Sequence, residues 1–233
     1  MYVVEHAGHD GAPVVLLIHG LQDSAESFAG MVEELTPEHT VITYDRRGWG
    51  RSRDDAPPTS LADHAHDAIE LLRGRRATVV GHSYGGVVGL MAAVLRPDLV
   101  ASLAVFEPTV PFTDWWPGYD EMMRRSADLK PMMARWSAGQ ARRTPEQRAA
   151  DELSMTRDFS FVETAPFDFA DVTVPCLVGG SVDTTPWDFQ SADRLSELLD
   201  ADVVVFRDAG HTVHRTHARE FAEFTRRAVA LGR

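Results

Sequence analysis

The residues best suited to chemistry form the motif Gly81-His82-Ser83-Tyr84-Gly85, in which a serine lies between glycines. The motif falls between the apolar runs Ala77–Val80 and Val87–Leu95, at a predicted strand-to-helix turn. A serine at such a turn is held in a strained conformation, and its hydroxyl projects from the edge of the sheet. The motif predicts that Ser83 is a nucleophile. The alternative is a glycine-rich turn that only joins a strand to a helix.

A serine hydroxyl is a poor nucleophile unless a base takes its proton. His211 follows the apolar run Val203–Phe206 and precedes the last helical pattern, at the sheet edge where ligands bind in such folds. We therefore predict that His211 is the base. His214 and His217 come soon after it, which raises the alternative of a metal site. No carboxylate partner is obvious for such a site, so we expect no metal and no cofactor.

The base needs an acid that orients its ring and stabilises the imidazolium. Asp183 follows the predicted strand Cys176–Val178 and a glycine-rich loop, and it gives the chain order Ser, Asp, His. Glu107 is the rival acid, because it ends the predicted strand Leu103–Phe106 close to the same edge. The chain order favours Asp183. Glu107 is then a structural or lid-anchoring carboxylate, and the alternative that it shares or replaces the role of Asp183 stays open.

A tetrahedral intermediate needs donors aimed at its negative oxygen. The backbone N–H of Tyr84, directly after the nucleophile, is one predicted donor. The other is the N–H of Leu21, which follows His19-Gly20. His19 is predicted to tie loops together beneath the site, and Gln22 could add a side-chain donor.

The elements that must position these residues alternate between strand and helix. Short apolar runs, rich in β-branched residues, predict strands buried on both faces. They are Val14–Ile18, Val41–Tyr44, Ala77–Val80, Leu103–Phe106, Cys176–Val178 and Val203–Phe206. Helical patterns separate most of them, which predicts an α/β fold with a mostly parallel, doubly wound sheet. Tyr2–Glu5 can supply one further strand ahead of the first run.

The alternation breaks between residues 111 and 165, where helix-like stretches replace strand signals. We predict a core from residues 1–110 and 166–233 and a helical lid, or cap, from residues 111–165. The lid's large apolar side chains could line a substrate pocket, or they could pack the lid onto the core. The pocket-lining candidates are Trp115, Trp116, Met122, Met132 and Trp136.

The composition excludes several classes of partner. The chain of 233 residues has 23 basic and 35 acidic residues, a net charge of −12, which disfavours nucleic acids and anionic membranes. A single cysteine, Cys176, allows neither an internal disulfide nor a cysteine-based zinc site. Without an apolar run of spanning length or a signal-peptide pattern, we expect a cytoplasmic protein acting on a small molecule. No feature predicts the oligomeric state.

Four blocks of sequence resemble the α/β-hydrolase superfamily. They are Leu17-Ile18-His19-Gly20, the run Tyr44 to Ser52, the Ser83 motif with Gly86, and the acid and histidine loops. The resemblance implies a Ser-His-Asp hydrolase that acts through an acyl-enzyme on Ser83. The apolar residues of the predicted lid favour a small apolar or aromatic ester, thioester or lactone as its substrate. The same triad could instead serve a carbon–carbon bond hydrolase or lyase, or an acyltransferase or cyclase. A ligand-binding protein with slow turnover is a further alternative.

Overall fold

The sheet is the frame that positions the site. The computed structural model describes residues 1–110, 143–164, 168–184 and 186–233. In this part of the chain seven strands form one sheet in the order β1-β3-β2-β4-β5-β6-β7. The strands are β1 (Val3–His6), β2 (Val14–Ile18), β3 (Thr40–Tyr44), β4 (Ala77–His82), β5 (Val100–Phe106), β6 (Cys176–Ser181) and β7 (Asp202–Phe206). The strand β1 pairs antiparallel with β3, and the other neighbours are parallel. The predicted α/β fold is confirmed.

Helices separate most of the successive parallel strands. They are α1 (Ala29–Leu35), α2 (Leu61–Leu71), α3 (Tyr84–Leu95), α4 (Pro145–Glu163), α5 (Pro186–Leu199), α6 (Val213–Thr216) and α7 (Ala218–Leu231). Single 3-10 turns cover Ala25–Phe28, Gly50–Ser52 and Phe169–Asp171. In the described part of the chain, no helix has the length and apolar character needed to cross a membrane.

Burial explains why the apolar runs become central strands. From Val15 to Ile18 each side chain of β2 is fully buried, as expected for a strand covered on both faces. Burying an aliphatic side chain of this size contributes roughly 1.5–3 kcal/mol. The helix α3 is buried on every side from Tyr84 to Ala93, so it packs centrally on the sheet. This packing holds the β4–α3 turn in a fixed place.

Local signals set the helix ends. The Ser60 hydroxyl accepts a hydrogen bond from the N–H of Asp63 at 3.2 Å and caps α2. In α4, Thr144 and Gln147 form a reciprocal capping box, and Pro145 occupies the first turn. The buried residues of α7 recur every three or four positions, which is the spacing of an amphipathic helix.

The chain divides into two compact units, Met1–Thr109 with Pro166–Arg233, and Val110–Ala165. The first unit contains the whole described sheet, and α4 belongs to the second. The pocket-lining residues predicted from the sequence lie outside the described residues. They are Trp115, Trp116, Met122, Met132 and Trp136.

Candidate active site

Ser83 occupies a strained turn between β4 and α3. Its backbone has φ 54° and ψ −125°, a left-handed region in which a residue other than glycine costs about 1–3 kcal/mol. The turn closes only because its flanking residues lack side chains. A Cβ on Gly81 would lie 2.3 Å from the carbonyl oxygen of Gly85, and one on Gly85 would lie 2.1 Å from the carbonyl oxygen of Ile18. Strain that is held this firmly by tight packing points to a functional residue.

The loop after β2 packs directly on this serine. A Cβ on Gly20 would lie 3.0 Å from the Cβ of Ser83, so the Gly20 backbone is a close neighbour of this serine. Leu21, which carries one predicted oxyanion donor, follows in the same loop. Tyr84, which carries the other, is the first residue of α3. The two backbone segments thus meet at Ser83, as an oxyanion hole requires.

Glu107 and His211 form a buried acid–base pair. The Nδ1–H of His211 donates a hydrogen bond of 2.6 Å to Glu107 Oε2. The Glu107 side chain is fully buried, whereas that of His211 is 34% exposed. The carboxylate also accepts hydrogen bonds from the N–H of Ser181 at 2.8 Å and from the hydroxyl of Thr184 at 3.0 Å. These bonds fix the carboxylate and so the orientation of the imidazole.

Glu107, not Asp183, is therefore the carboxylate that contacts the histidine, which corrects the preference drawn from chain order. Within the described residues no hydrogen bond joins Asp183 to His211. Asp183 is exposed, and only its backbone is close: its carbonyl oxygen lies 3.0 Å from where a Cβ of Gly210 would be. The positive φ of Glu107, 43°, ends β5 in a turn, and the end of β6 supplies an N–H to that carboxylate.

A second polar cluster lies beside the first, formed by Asp23, His82, His214 and Arg215. The Nε2–H of His82 donates a hydrogen bond of 2.6 Å to the backbone carbonyl of His211. Asp23 accepts hydrogen bonds from His214 at 3.1 Å and from Arg215. The His82 and His214 rings lie 4.0 Å apart between centroids. The residue before Ser83 thus anchors the backbone of His211.

Burial dominates the electrostatics of this cluster. It lowers the pKa of His82 well below its ordinary value, and the charges of His214 and His211 lower it further. Burial also lowers the pKa of His214, against the opposing effect of Asp23. Burial alone would raise the pKa of Asp23, but the His214 hydrogen bond and the charges of His214 and Arg215 outweigh it and lower that pKa. The histidines are therefore held neutral beside an ionised carboxylate.

Asp23, His82 and His214 are also the described residues whose donor atoms are close enough to hold a metal ion, within 4.8 Å of one another. The described part of the chain does not join His211, His214 and His217 in such a group. A cation at this cluster would compete with Arg215 for Asp23, and the two imidazole rings already contact each other, tilted by 45°. We interpret the cluster as a network of protein groups alone.

Beneath the β2 loop lies a buried arginine, Arg46. Its Nε–H donates to the carbonyl oxygen of His19 at 3.1 Å, and its Nη2 donates to that of Gly20 at 3.0 Å. Its backbone N–H donates to Nε2 of His19 at 2.9 Å, while the Nδ1–H of His19 donates to Gly20 O at 2.8 Å. Burial, reinforced by the charge of Arg46, lowers the pKa of His19 to about 4, so this ring is neutral at pH 7.

The sequence interpretation missed Arg46, Asp23 and His82 as parts of the site. Arg46 lies in the Gly-rich block after β3, and Asp23 lies four residues after His19. The sequence did contain one signal for them: each follows a strand, and these strands end at the same edge of the sheet. His82 lies inside the serine motif, and its contact with the His211 loop joins residues 129 apart in sequence. Such a contact leaves no periodic pattern.

Comparisons with known proteins agree with this architecture. The sequence pattern of the alpha/beta hydrolase family matches residues 15–224. A protein named "Putative carbamate hydrolase RutD" from Rhizobium rhizogenes is 27% identical over 242 aligned positions that cover 90% of each chain. A protein of the same name from Caulobacter vibrioides is 37% identical over 124 positions, 52% of this chain and 44% of that one.

Solved structures resemble the whole chain. An enol-lactonase from Burkholderia xenovorans has a TM-score of 0.75 at 20% identity. The match covers 98% of this chain and 96% of the enol-lactonase chain. A thermophilic esterase from Thermogutta terrifontis has a TM-score of 0.75 at 21% identity, covering 99% and 93%. At these identities the likeness concerns the fold.

Proposed function

Since the chain belongs to the alpha/beta hydrolase family and is a hydrolase, we propose that it cleaves acyl bonds through a covalent intermediate on Ser83. In this proposal His211 is the base and Glu107 is the acid. The backbone N–H groups of Leu21 and Tyr84 bind the oxyanion. Asp183, the acid favoured by chain order, has no part in it.

The steps follow from the hydrogen bond between His211 and Glu107. Because Nδ1 carries the hydrogen given to Glu107, Nε2 holds the lone pair that takes the Ser83 proton. The Ser83 oxygen bonds to the substrate carbonyl carbon, and the carbonyl electrons move to its oxygen. The imidazolium then gives its proton to the leaving group as that bond breaks. Water attacks the acyl-enzyme by the same route and frees Ser83.

One observation carries the proposal: a strained, packed serine shares a sheet edge with a histidine oriented by a buried carboxylate. A turn that only joined a strand to a helix would not need a Ser83 φ of 54°. A structural histidine would not need to remain 34% exposed while bonding to a fully buried Glu107. The combination of strain, access and orientation is what nucleophilic catalysis demands.

The proposed substrates are small apolar or aromatic esters, thioesters and lactones. Proteins of the same fold include one named an enol-lactonase and one named an esterase, which is compatible with acyl chemistry. The "Putative carbamate hydrolase RutD" relatives add carbamates, whose carbonyl reacts by the same steps. The proposed catalytic residues belong to the unit Met1–Thr109 with Pro166–Arg233.

The test combines labelling with turnover. A fluorophosphonate probe should label the protein on Ser83, located by peptide mass spectrometry. Ser83→Ala should abolish labelling and lower kcat for nitrophenyl esters by about 10³-fold or more, since the nucleophile is lost. Ser196→Ala is the matched control, because the Ser196 hydroxyl donates a hydrogen bond of 2.6 Å to the Asp193 carbonyl within α5 and has no proposed catalytic role. Labelling elsewhere, or full activity in Ser83→Ala, would contradict the proposal.

A substrate panel decides between the reaction classes. Nitrophenyl acetate, butyrate and octanoate, a phenyl carbamate and a δ-lactone test hydrolysis, and a vinylogous diketone tests carbon–carbon cleavage. Adding hydroxylamine or an alcohol reveals acyl transfer as a new product. We expect hydrolysis of the short esters to dominate. Labelling of Ser83 without turnover of any panel member would favour a slow ligand-binding protein instead.

A further inference from the structure

The loop that carries the predicted oxyanion donor is held from below by Arg46. This side chain is fully buried, directly after β3 and beside the end of β2. Its guanidinium donates to two successive backbone carbonyls, those of His19 and Gly20. The guanidinium also lies over the ring of Tyr84, 4.5 Å from its centroid. One cation thus contacts the backbone of the loop that leads to Leu21 and the side chain of Tyr84, the two residues proposed to supply the oxyanion hole.

The direction of a peptide N–H follows from that of its carbonyl. A trans peptide is planar, so its C=O and N–H point to opposite sides, and no described peptide bond of this chain is cis. The Gly20 carbonyl points at the guanidinium of Arg46 at 3.0 Å and is held there also by the His19 ring. The N–H of Leu21 belongs to the same peptide. It is therefore turned away from the buried arginine.

We infer that Arg46 is the positioning residue of the oxyanion hole: it holds the peptide between Gly20 and Leu21 so that the Leu21 N–H faces the reacting carbonyl oxygen. This inference rests on the proposed function, because an oxyanion hole matters only if Ser83 forms a tetrahedral intermediate. Arg46 itself touches no reacting atom. It acts through the loop, together with the His19 ring.

Arginine is required for geometric reasons. Its planar fork reaches two carbonyls and, through Nη1, the His64 ring at 3.3 Å. A lysine keeps the buried charge but offers a single nitrogen, so it cannot bond both carbonyls along the same directions. A methionine keeps much of the volume and no donor. Comparing the two variants therefore separates the effect of the buried charge from the effect of the hydrogen-bond directions.

The experiment measures kcat and KM for nitrophenyl butyrate, and the inhibition constant of a trifluoromethyl ketone, in the full chain. A trifluoromethyl ketone forms a tetrahedral oxyanion with an active serine and so reports on the hole. Arg46→Lys should lower kcat by about 10- to 100-fold with KM within about threefold, below the full loss of about 10²–10³ for a deleted donor. The inhibition constant should rise by the same factor as kcat falls. Arg46→Met should lower kcat, and raise the inhibition constant, by a larger factor than Arg46→Lys.

The matched control is Arg47→Met. Arg47 adjoins Arg46 in sequence, but its guanidinium binds the Asp67 carboxylate at 2.6 Å and 2.9 Å. Arg47→Met should keep kcat and the inhibition constant within about threefold of the values of the unmodified chain. Circular dichroism and the unfolding midpoint show which variants are folded.

The outcomes separate this inference from the proposed function. If Ser83 of the unmodified chain is labelled and folded Arg46→Lys keeps its kcat and inhibition constant, the positioning role alone is overturned. If both Arg46 variants are unfolded, Arg46 is a stability residue and the role is likewise overturned. If the unmodified chain is neither labelled nor active, the proposed function fails first, and the role of Arg46 falls with it.

Discussion

Two histidine–carboxylate pairs, whose histidines lie three residues apart on the chain, have opposite environments. His211 bonds to Glu107 at 2.6 Å, and its side chain is 34% exposed. His214 bonds to Asp23 at 3.1 Å, and its side chain is 0% exposed. Both carboxylates are buried. Only the first pair offers a ring that a substrate could reach.

The partners of the two carboxylates differ as well. Glu107 is bound by neutral donors, Ser181 and Thr184, so its charge is directed to the histidine. Asp23 also bonds to a cation, Arg215. A carboxylate that must stabilise a transient imidazolium is best left without a permanent cation. The two pairs share a His–carboxylate contact, so access and charge balance are what distinguish the proposed catalytic pair from the other.

The largest expected effect comes from Glu107→Gln. The amide would donate to the ring where the carboxylate accepts, which favours the wrong tautomer of His211. We expect kcat/KM for nitrophenyl esters to fall by about 10³–10⁴-fold, the scale of such acid-to-amide changes. Steady-state kinetics measure it.

Asp183→Asn is the matched control, since Asp183 is exposed and adjoins the same loop. It should change kcat/KM by less than about twofold, in line with ordinary surface substitutions. A large loss in Asp183→Asn with little loss in Glu107→Gln would reverse the assignment of the acid.

Asp23→Ala should act on stability more than on chemistry. It leaves the His214 N–H and the Ser24 N–H, which donates to Asp23 at 2.8 Å, without their acceptor. We expect the free energy of unfolding to fall by about 1–3 kcal/mol, measured by urea denaturation. Loss of kcat in the folded protein should stay well below that of Glu107→Gln. Equal losses of kcat at unchanged stability would remove the distinction between the two pairs.

The smallest expected effect per group is a pH dependence of stability. The pKa values of His19, His82 and His214 are lowered, to about 4 for His19, in each case chiefly by burial. A histidine with a lowered folded pKa stabilises the fold above its unfolded value, about 6.5, and this contribution is lost as pH falls below it. Each contributes up to about 1.4 kcal/mol per pH unit between its unfolded and folded pKa values.

Urea unfolding at pH 7.5, 6.5 and 5.5 measures this slope. His214→Gln should make the free energy of unfolding depend less on pH, because this histidine no longer takes up a proton in the unfolded chain. His9→Gln, at an exposed histidine, is the control and should leave the slope unchanged. A free energy of unfolding that is the same at pH 7.5 and 5.5 would contradict the neutral, buried state of these rings.

The parallel sheet could be predicted because its signal is local. The runs Val14–Ile18 and Ala77–Val80 are short, apolar and β-branched, and both are strands in the structure. Ser83 could be selected because its motif falls between two such elements. The pattern also placed His211 after a strand at the same edge. Each of these inferences needs only neighbouring residues and the rule that strands in a parallel sheet end together.

The acid could not be chosen in the same way. Glu107 and Asp183 follow adjacent strands, β5 and β6, so both reach one edge of the sheet. Glu107 has a positive φ, and this turn directs its carboxylate inward. No local pattern in the sequence predicts such a φ. The Asp23–His214 contact spans 191 residues and depends on how two loops meet. Loop conformation, and not strand order, decides such contacts.

All the proposed catalytic groups lie outside the segment Val110–Ala165. A segment exchange with another hydrolase, joined after Thr109 and before Pro166, would keep the nucleophile, base, acid and oxyanion donors with the recipient. The upstream junction has little freedom, because Glu107 and Thr109, whose hydroxyl shares a 3.4 Å hydrogen bond with Ser83, immediately precede it. The boundary therefore makes this chain a recipient for chimaeras in which the segment Val110–Ala165 is exchanged while every proposed catalytic group is kept.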